Sequence, residues 1–293
     1  MSVRCNLIID SCCDLPPDVL DRPGIELVSF PYIDEAGEHL DDLWLSENMH
    51  AFYDRMRKGS SPTTSCVSPA RMREAFERAA ESGVPTVYLC FSSGLSSHFE
   101  SARSILREVL SAHPSANIRI VDTLLGSTAE ALLVYEALRK HEEGLTADEM
   151  EEWASEARFC VETYFMVDDL DALRRGGRIP RGVAFAGSKL NVKPILTFSD
   201  DGRLVVAGAA RGRKKGLRAL AERFEERVDM LKPAVVCMGH ADCEKDVAHL
   251  WEMISKDRGV LQQVSQPIGP VVGSHVGPGM VSLVFWGRDR RER

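Results

Sequence analysis

Several features that would decide function at once are missing from this 293-residue chain. No apolar run approaches the roughly 18 uninterrupted residues that a membrane-spanning helix requires. The start, MSVRCNLIIDSCC, offers only three consecutive apolar residues where a secretory signal would have a longer block, so a cytoplasmic location is expected. Basic residues are outnumbered, with 36 Lys and Arg against 44 Asp and Glu and a net charge of -8, which argues against nucleic acid or an anionic membrane as the main partner. Neither GxGxxG nor GxxxxGK[ST] follows any apolar run, so no nucleotide site of its own is expected. A GxSxG nucleophile elbow is absent too, because Ser93-Gly94 lacks the flanking glycine, and no catalytic residue is assigned. There are no repeats and no low-complexity tract.

What is present is ordinary globular material, 44% hydrophobic and 27% charged, enough to fold and also enclose a ligand. The length favours two domains. Eight cysteines are scattered, mostly in apolar strand-like runs, which suits reduced thiols rather than a disulfide framework. Cys237, His240 and Cys243 form a C-x2-H-x2-C spacing, but Cys237 sits where a strand wants a small apolar residue and no fourth ligand is evident; no metal is expected.

The first half alternates short apolar runs with amphipathic stretches. Strands are expected at Asn6–Ile9, Ile25–Tyr32, Thr86–Phe91 and Ile118–Val121, and helices at Ser46–Lys58, Ala70–Glu81, Ser96–Leu110, Thr128–His141 and Ala147–Phe159. That rhythm predicts an N-terminal parallel α/β sheet domain over 1–160. In the second domain, 161–293, PILTFSDDGRLVVAG reads as a β-hairpin turning at Asp201-Gly202, followed by helix Lys214–Leu231, strand Ala234–Met238, helix Asp246–Lys256 and strand Val281–Trp286. A mixed or antiparallel α+β domain is expected there.

Two segments share a construction. In TTSCVSP, Ser68 is a good N-cap and Pro69 a good first helical residue, which puts Thr63, Thr64 and Ser65 in the turn entering a helix. In YLCFSSGLSSHF a strand runs into Ser92, Ser93 and Gly94, with a helix starting near Ser96. Hydroxyls beside free helix N–H groups can trap a carboxylate or phosphate without a lysine; plain helix capping is the competing reading of each. His275 lies among glycines and a proline, which predicts a tight turn presenting its imidazole at a strand start. The run Arg211, Arg213, Lys214, Lys215 puts cations at a helix start, an unfavourable place unless something anionic lies nearby.

In order along the chain, IIDSCCDLP, TSCVSP, FSSGLSSHFESA, IVDTLLGSTAEALLV, YFMVDDLDALRRGGRI, LNVKPIL, ARGRKKG and SHVGPGMVSLVFWG resemble the motifs of the DegV family of fatty-acid-binding proteins. The resemblance implies a two-domain α/β protein enclosing one long-chain fatty acid between the domains. It also implies a binding subunit that presents the carboxylate to the separate ATP-binding subunit of a bacterial fatty acid kinase, in phospholipid metabolism. Carried over, the carboxylate would meet Thr64 and Ser93 with Ser65, Ser92 and Ser96 as neighbours, His275 and Arg178 would complete the head-group pocket, and Arg211 would serve phosphoryl transfer or the partner. The chain departs from the family pattern at Cys12-Cys13, Cys66-Val67 and Ser97-His98. The last puts a titratable ring in the first helical turn, where it is expected to narrow the pocket or alter head-group preference. A stand-alone enzyme acting on a small carboxylate or phosphate, and a lipid-responsive interaction protein without a kinase partner, are the rival readings.

Overall fold

The computed structural model describes residues 4–180, 191–256, 258 and 261–292. The apolar runs of the first half become β1 (Asn6–Asp10), β2 (Ile25–Val28), β3 (Pro31–Asp34), β4 (Gly37–Leu40), β5 (Thr63–Thr64), β6 (Thr86–Cys90) and β7 (Ile118–Asp122). Between and after them run α1 (Pro17–Leu20), α2 (Met49–Arg57), α3 (Pro69–Ser82), α4 (His98–Ala112), α5 (Thr128–Glu143) and α6 (Ala147–Ala157). The second half contributes β8 (Val161–Met166), α7 (Asp171–Arg175), β9 (Val192–Phe198), β10 (Leu204–Arg211), α8 (Arg213–Arg227), β11 (Val235–His240), α9 (Glu244–Ser255), β12 (Gln262–Pro267), α10 (Pro270–Val276) and β13 (Val281–Trp286).

Three sheets result. The first is parallel throughout, in the order β2-β1-β6-β7, and the second is mixed, in the order β10-β9-β8-β13-β11-β12. Only β11 and β12 pair in parallel in the second. A small antiparallel sheet, β4-β3-β5, lies beside them and was not expected. It exists because the run expected as one strand, Ile25–Tyr32, breaks before Pro31, and the chain restarts in a new direction as β3. Thr63 and Thr64 are therefore strand residues paired with Ile33 and Tyr32, one step earlier than the helix-entry turn that was expected.

Helix α5 joins the two halves. It packs on β8, β11 and β13 of the mixed sheet and also against α6 and the turn Ser11–Cys13. A helix covered on most sides has no use for a polar stripe, and accordingly Ala129, Ala131, Leu132, Leu133, Val134 and Leu138 are all buried. The β9–β10 hairpin turns at Gly202, whose φ of 74° is the left-handed conformation that glycine adopts at little cost. Its tip reaches back to the first half, where Ser92 Oγ donates to Gly202 O at 2.8 Å. A side chain at Gly94 would collide with the backbone of Asp201 and Gly202, so the glycine is what lets the tip dock. Among the described residues no helix is long and apolar enough to cross a membrane.

Candidate functional site

In the parallel sheet, β1 pairs with β2 on one side and β6 on the other, so the strand order reverses between β1 and β6. Ligands gather in the crevice at the carboxyl ends of such strands. A cavity of about 360 Å³ opens there, a size usual for small-molecule sites. Cys12 comes from the loop after β1, and Phe91, Leu95, Ser96 and Ser97 come from the loop after β6. The second half supplies Leu173, Arg178, Leu204, Val271, Val272, His275 and Val276. A smaller recess of about 40 Å³ continues it inward, sharing Phe91, Leu95, Leu204, Val272 and Val276 and adding Phe165, Phe198 and Met280 between the two large sheets. The shape is a polar mouth leading to an apolar interior.

The expected site residues divide. Thr64, Ser65, Ser96, Arg178 and His275 all line the cavity. Ser92 and Ser93 are not among its lining residues. Ser92 is buried under the hairpin tip, and Ser93 is exposed with its N–H donating to Asp122 Oδ1 at 3.1 Å. The reason is local. The helix begins at His98, a turn beyond those two serines, with Ser97 as the cap residue and Ser96 Oγ accepting from His98 N–H at 3.1 Å. Arg211 ends β10, exposed and outside the cavity lining. The neighbouring Arg213 explains the cationic helix start, since it binds Asp246, Asp168 and the Gly279 carbonyl. For Arg213 the anions are the protein's own.

His275 corrects a local expectation, because it lies on a helix and not in a turn. Pro270 occupies the first helical position of α10, and Gly277, one of the glycines that suggested a turn, ends the helix at φ 76°, so the turn at Pro278 and Gly279 begins only after His275. His275 Nε2 lies 2.7 Å from Thr64 Oγ1. Burial, with the nearby Arg178 charge, pushes the imidazole down to about 3, so the ring is neutral at physiological pH. Its Nδ1 is buried, has no hydrogen-bond partner among the described residues and is pressed toward Gly176. A methyl at Gly176 would overlap that nitrogen. Gly176→Ala is accordingly expected to displace the imidazole and weaken ligand binding about tenfold, a loss of roughly 1.4 kcal/mol, with little change in melting temperature, as titration and thermal denaturation would register; an unchanged affinity would count against the ring's place in the site.

Arg178 is the cation at the cavity. Its Nε donates to Leu95 O at 3.0 Å and its Nη1 to Gly176 O at 2.5 Å. Burial lowers its proton affinity, and no carboxylate among the described residues pairs with it. Cys66 lies opposite, its Sγ 3.6 Å from both Ser96 Oγ and Ser97 Oγ. His98 does not face the cavity, contrary to the expectation for the Ser97-His98 departure. It is fully buried behind Phe30, ring centroids 4.6 Å apart, with Nε2 2.8 Å from Tyr88 Oη. Burial holds its ring near 4, hence neutral, and Ser97 is the member of the pair that lines the cavity.

Behind the wall lies a set of buried acids. Asp10 accepts from Tyr88 Oη, Phe91 N–H and Cys12 N–H, so it fixes both loops that frame the crevice. Asp14 accepts from Ser127 Oγ and from Gly269 N–H, which holds the start of α10. Burial raises both carboxyls to about 7. Asp14 and the cavity-lining Phe91 had no signal of their own as site residues, since their positions are set by contacts distant in sequence; Cys66 and Ser97 stood out only as departures from the family pattern.

The comparisons with known proteins agree with this architecture. A family model described as an uncharacterised protein family, DegV, matches residues 4–288. A DegV domain-containing protein of Clostridium perfringens is 36% identical over 98% of both chains. A Thermotoga maritima protein named as a fatty acid-binding protein is 30% identical over 96% of this chain and 97% of its own. The structure of a Thermus thermophilus protein, described for its fatty acid binding, superposes with a TM-score of 0.83 at 28% identity, covering 97% of this chain and 99% of that one.

Proposed function

The chain belongs to the DegV family, and from that premise we propose that it binds a single long-chain fatty acid and presents the carboxylate to a separate ATP-dependent kinase subunit for acyl-phosphate formation. The observation that carries this reading is the polarity of the cavity, with Arg178 and the hydroxyls of Thr64, Ser65, Ser96 and Ser97 at its mouth and aliphatic and aromatic side chains inward. Of these, Ser65 and Ser97 are exposed, so a carboxylate held there lies within reach of a second protein.

The chemistry follows from the donors. A carboxylate taken from water needs hydrogen bonds or a cation, and Arg178 has no carboxylate partner among the described residues to satisfy it first. His275 sets the direction of the Thr64 hydroxyl. When the neutral ring carries its proton on Nε2, it donates to Thr64 Oγ1, and the Thr64 O–H is free to donate to the ligand. The tail gains about 0.8 kcal/mol for each methylene removed from water, so partial enclosure already gives tight binding. The chain's lack of a phosphate-cradling glycine motif supports leaving ATP to a partner. The protein is read as a binding subunit and not as an enzyme, with no cofactor of its own.

Native mass spectrometry of the purified protein is expected to find one acyl chain per polypeptide; failure to find or add one would sink the reading. Mixing the loaded protein with a fatty acid kinase subunit and ATP is expected to yield acyl phosphate. Arg211→Ala should leave fatty-acid affinity within about twofold and slow that reaction about tenfold, as expected for a rim charge that serves a partner and not the ligand. Equal loss of affinity would remove Arg211 from that role.

A further inference from the structure

Four hydroxyl-bearing residues, Ser127, Thr128, Thr163 and Ser282, stand in the wall of the inner recess. Three are satisfied. Ser127 Oγ donates to Asp14 Oδ2, Thr128 Oγ1 and Ser282 Oγ are 2.7 Å apart, and Ser282 Oγ also accepts from Gly239 N–H at 3.0 Å. Thr163 is different. It sits on β8, only 3% exposed, and its Oγ1 has no hydrogen-bond partner among the described residues. The strand itself is well held, with Thr163 paired to Val284 of β13 and its carbonyl accepting from Thr197 Oγ1 at 2.7 Å.

A buried hydroxyl with nothing to bond is a cost that valine, of the same shape and β propensity, would avoid. The fold has no use for this oxygen, and the position lines the space assigned above to the acyl chain. We infer that the fatty acid this protein is built to hold is a hydroxylated one, and that Thr163 reads the hydroxyl on its carbon chain; the inference rests on the fatty-acid reading of the cavity. Turning χ1 by about 120° can carry the Thr163 hydroxyl to the place its methyl now holds, so the side chain can show either group to the recess. A plain hydrocarbon offers Oγ1 no hydrogen-bond partner. A chain carrying an alcohol oxygen at the right depth makes one hydrogen bond with Thr163 there, as donor or acceptor, in a recess whose other hydroxyls, on Ser127, Thr128 and Ser282, already have partners. Phe91, Leu95, Leu204, Val272 and Val276 line both spaces, while Arg178 lines only the outer one and Thr163 only the inner, which places the recognised oxygen on the carbon chain and not beside the carboxylate.

The test is competition binding of octadecanoic acid and a positional series of its monohydroxylated forms to delipidated wild-type, Thr163→Val and Thr163→Ser proteins. The expected result is that one position, or two adjacent ones, binds the wild type about tenfold more tightly than the unsubstituted acid, as relief of a buried unsatisfied hydroxyl implies. That preference should vanish in Thr163→Val, return in Thr163→Ser, and leave the affinity for octadecanoic acid undiminished in the valine variant. No favoured position in the wild type, or an equal shift for plain and hydroxylated acids in Thr163→Val, would overturn the inference while leaving the carrier reading intact. Failure of every acid to bind would bring down both.

Discussion

Arg178→Gln is expected to raise the dissociation constant for a long-chain fatty acid roughly a hundredfold, because losing the cation opposite a partly desolvated carboxylate costs on the order of 3 kcal/mol. The same change should leave the ligand-free melting temperature nearly where it was. Among the described residues the guanidinium binds the Leu95 and Gly176 carbonyls and no carboxylate, and burial already weighs against its charge, so the lost bonds and the relieved desolvation oppose one another. The measurement is the thermal shift on adding fatty acid, large in the wild type and nearly absent in the variant. A variant that keeps its ligand-induced shift would show that the carboxylate is held elsewhere, and the hydroxyls of Thr64 and Ser96 would then have to suffice.

The second large effect concerns stability. Glu130 on α5 is fully buried, and neither of its carboxylate oxygens has a hydrogen-bond partner among the described residues. Burial, reinforced by Asp10, Asp14 and Asp122, raises its proton affinity well above the ordinary 4.5. The sign follows by linkage: the folded protein keeps this proton where the unfolded chain has released it. The stability associated with it is present below 4.5 and lost as pH rises through the folded value. Glu130→Met removes the titration at similar volume. Its melting temperature is therefore expected to exceed the wild type's by about 5 °C near pH 8 and by clearly less near pH 5, taking roughly 2–4 °C per kcal/mol for a chain of this kind. A gain that is the same at both pH values, or a loss at the higher one, would mean that Glu130 is paired in solution. Asp10 and Asp14, raised to about 7, contribute with the same sign, and their loss of stability is complete once pH has passed that value. His98 and His275 act oppositely, since rings held near 4 and 3 contribute stability above the ordinary 6.5 that is lost as pH falls toward those values.

How much of this was legible in the sequence depends on how local the signal was. The core strands were readable because Leu7, Ile8 and Ile9, and Val87, Tyr88 and Leu89, are continuous buried runs. The hairpin was readable from Asp201-Gly202. The helix starts were readable only to within a turn, since SSGLSS offers several cap residues and nothing local selects Ser97 over Ser93. Of the expected serines of that segment, Ser96 is the one that lines the cavity. His275 was read as a turn residue because Gly277, Pro278 and Gly279 follow it closely, and Gly277, which stops the short helix, is the residue type that also marks a loop. Strand β5, two residues long, has no signature at all; it forms because Tyr32 and Ile33 are there to pair with. Arg178 and Arg211 took their site roles from the family resemblance, although the cationic run that begins at Arg211 stood out by itself, and the Thr163 hydroxyl, unpaired among the described residues, could be found only once its neighbours were known.

Helix α10 carries a consequence beyond the side chains it lends to the cavity. It belongs by sequence to the second half, yet Asp14 grips its first N–H, Tyr53 Oη donates to the carbonyl of Ile268 just before it at 2.8 Å, and Thr64 meets His275 near its far end. Pulling the two sheets apart would break all three contacts along with the Ser92 bond to the hairpin tip on the opposite side. The halves are stitched in both directions, a strand pair passing one way and a helix the other, so the cavity wall is one cooperative unit. A bound chain must then exchange lengthwise through the mouth, at a rate set by how fast its tail can be drawn back into water.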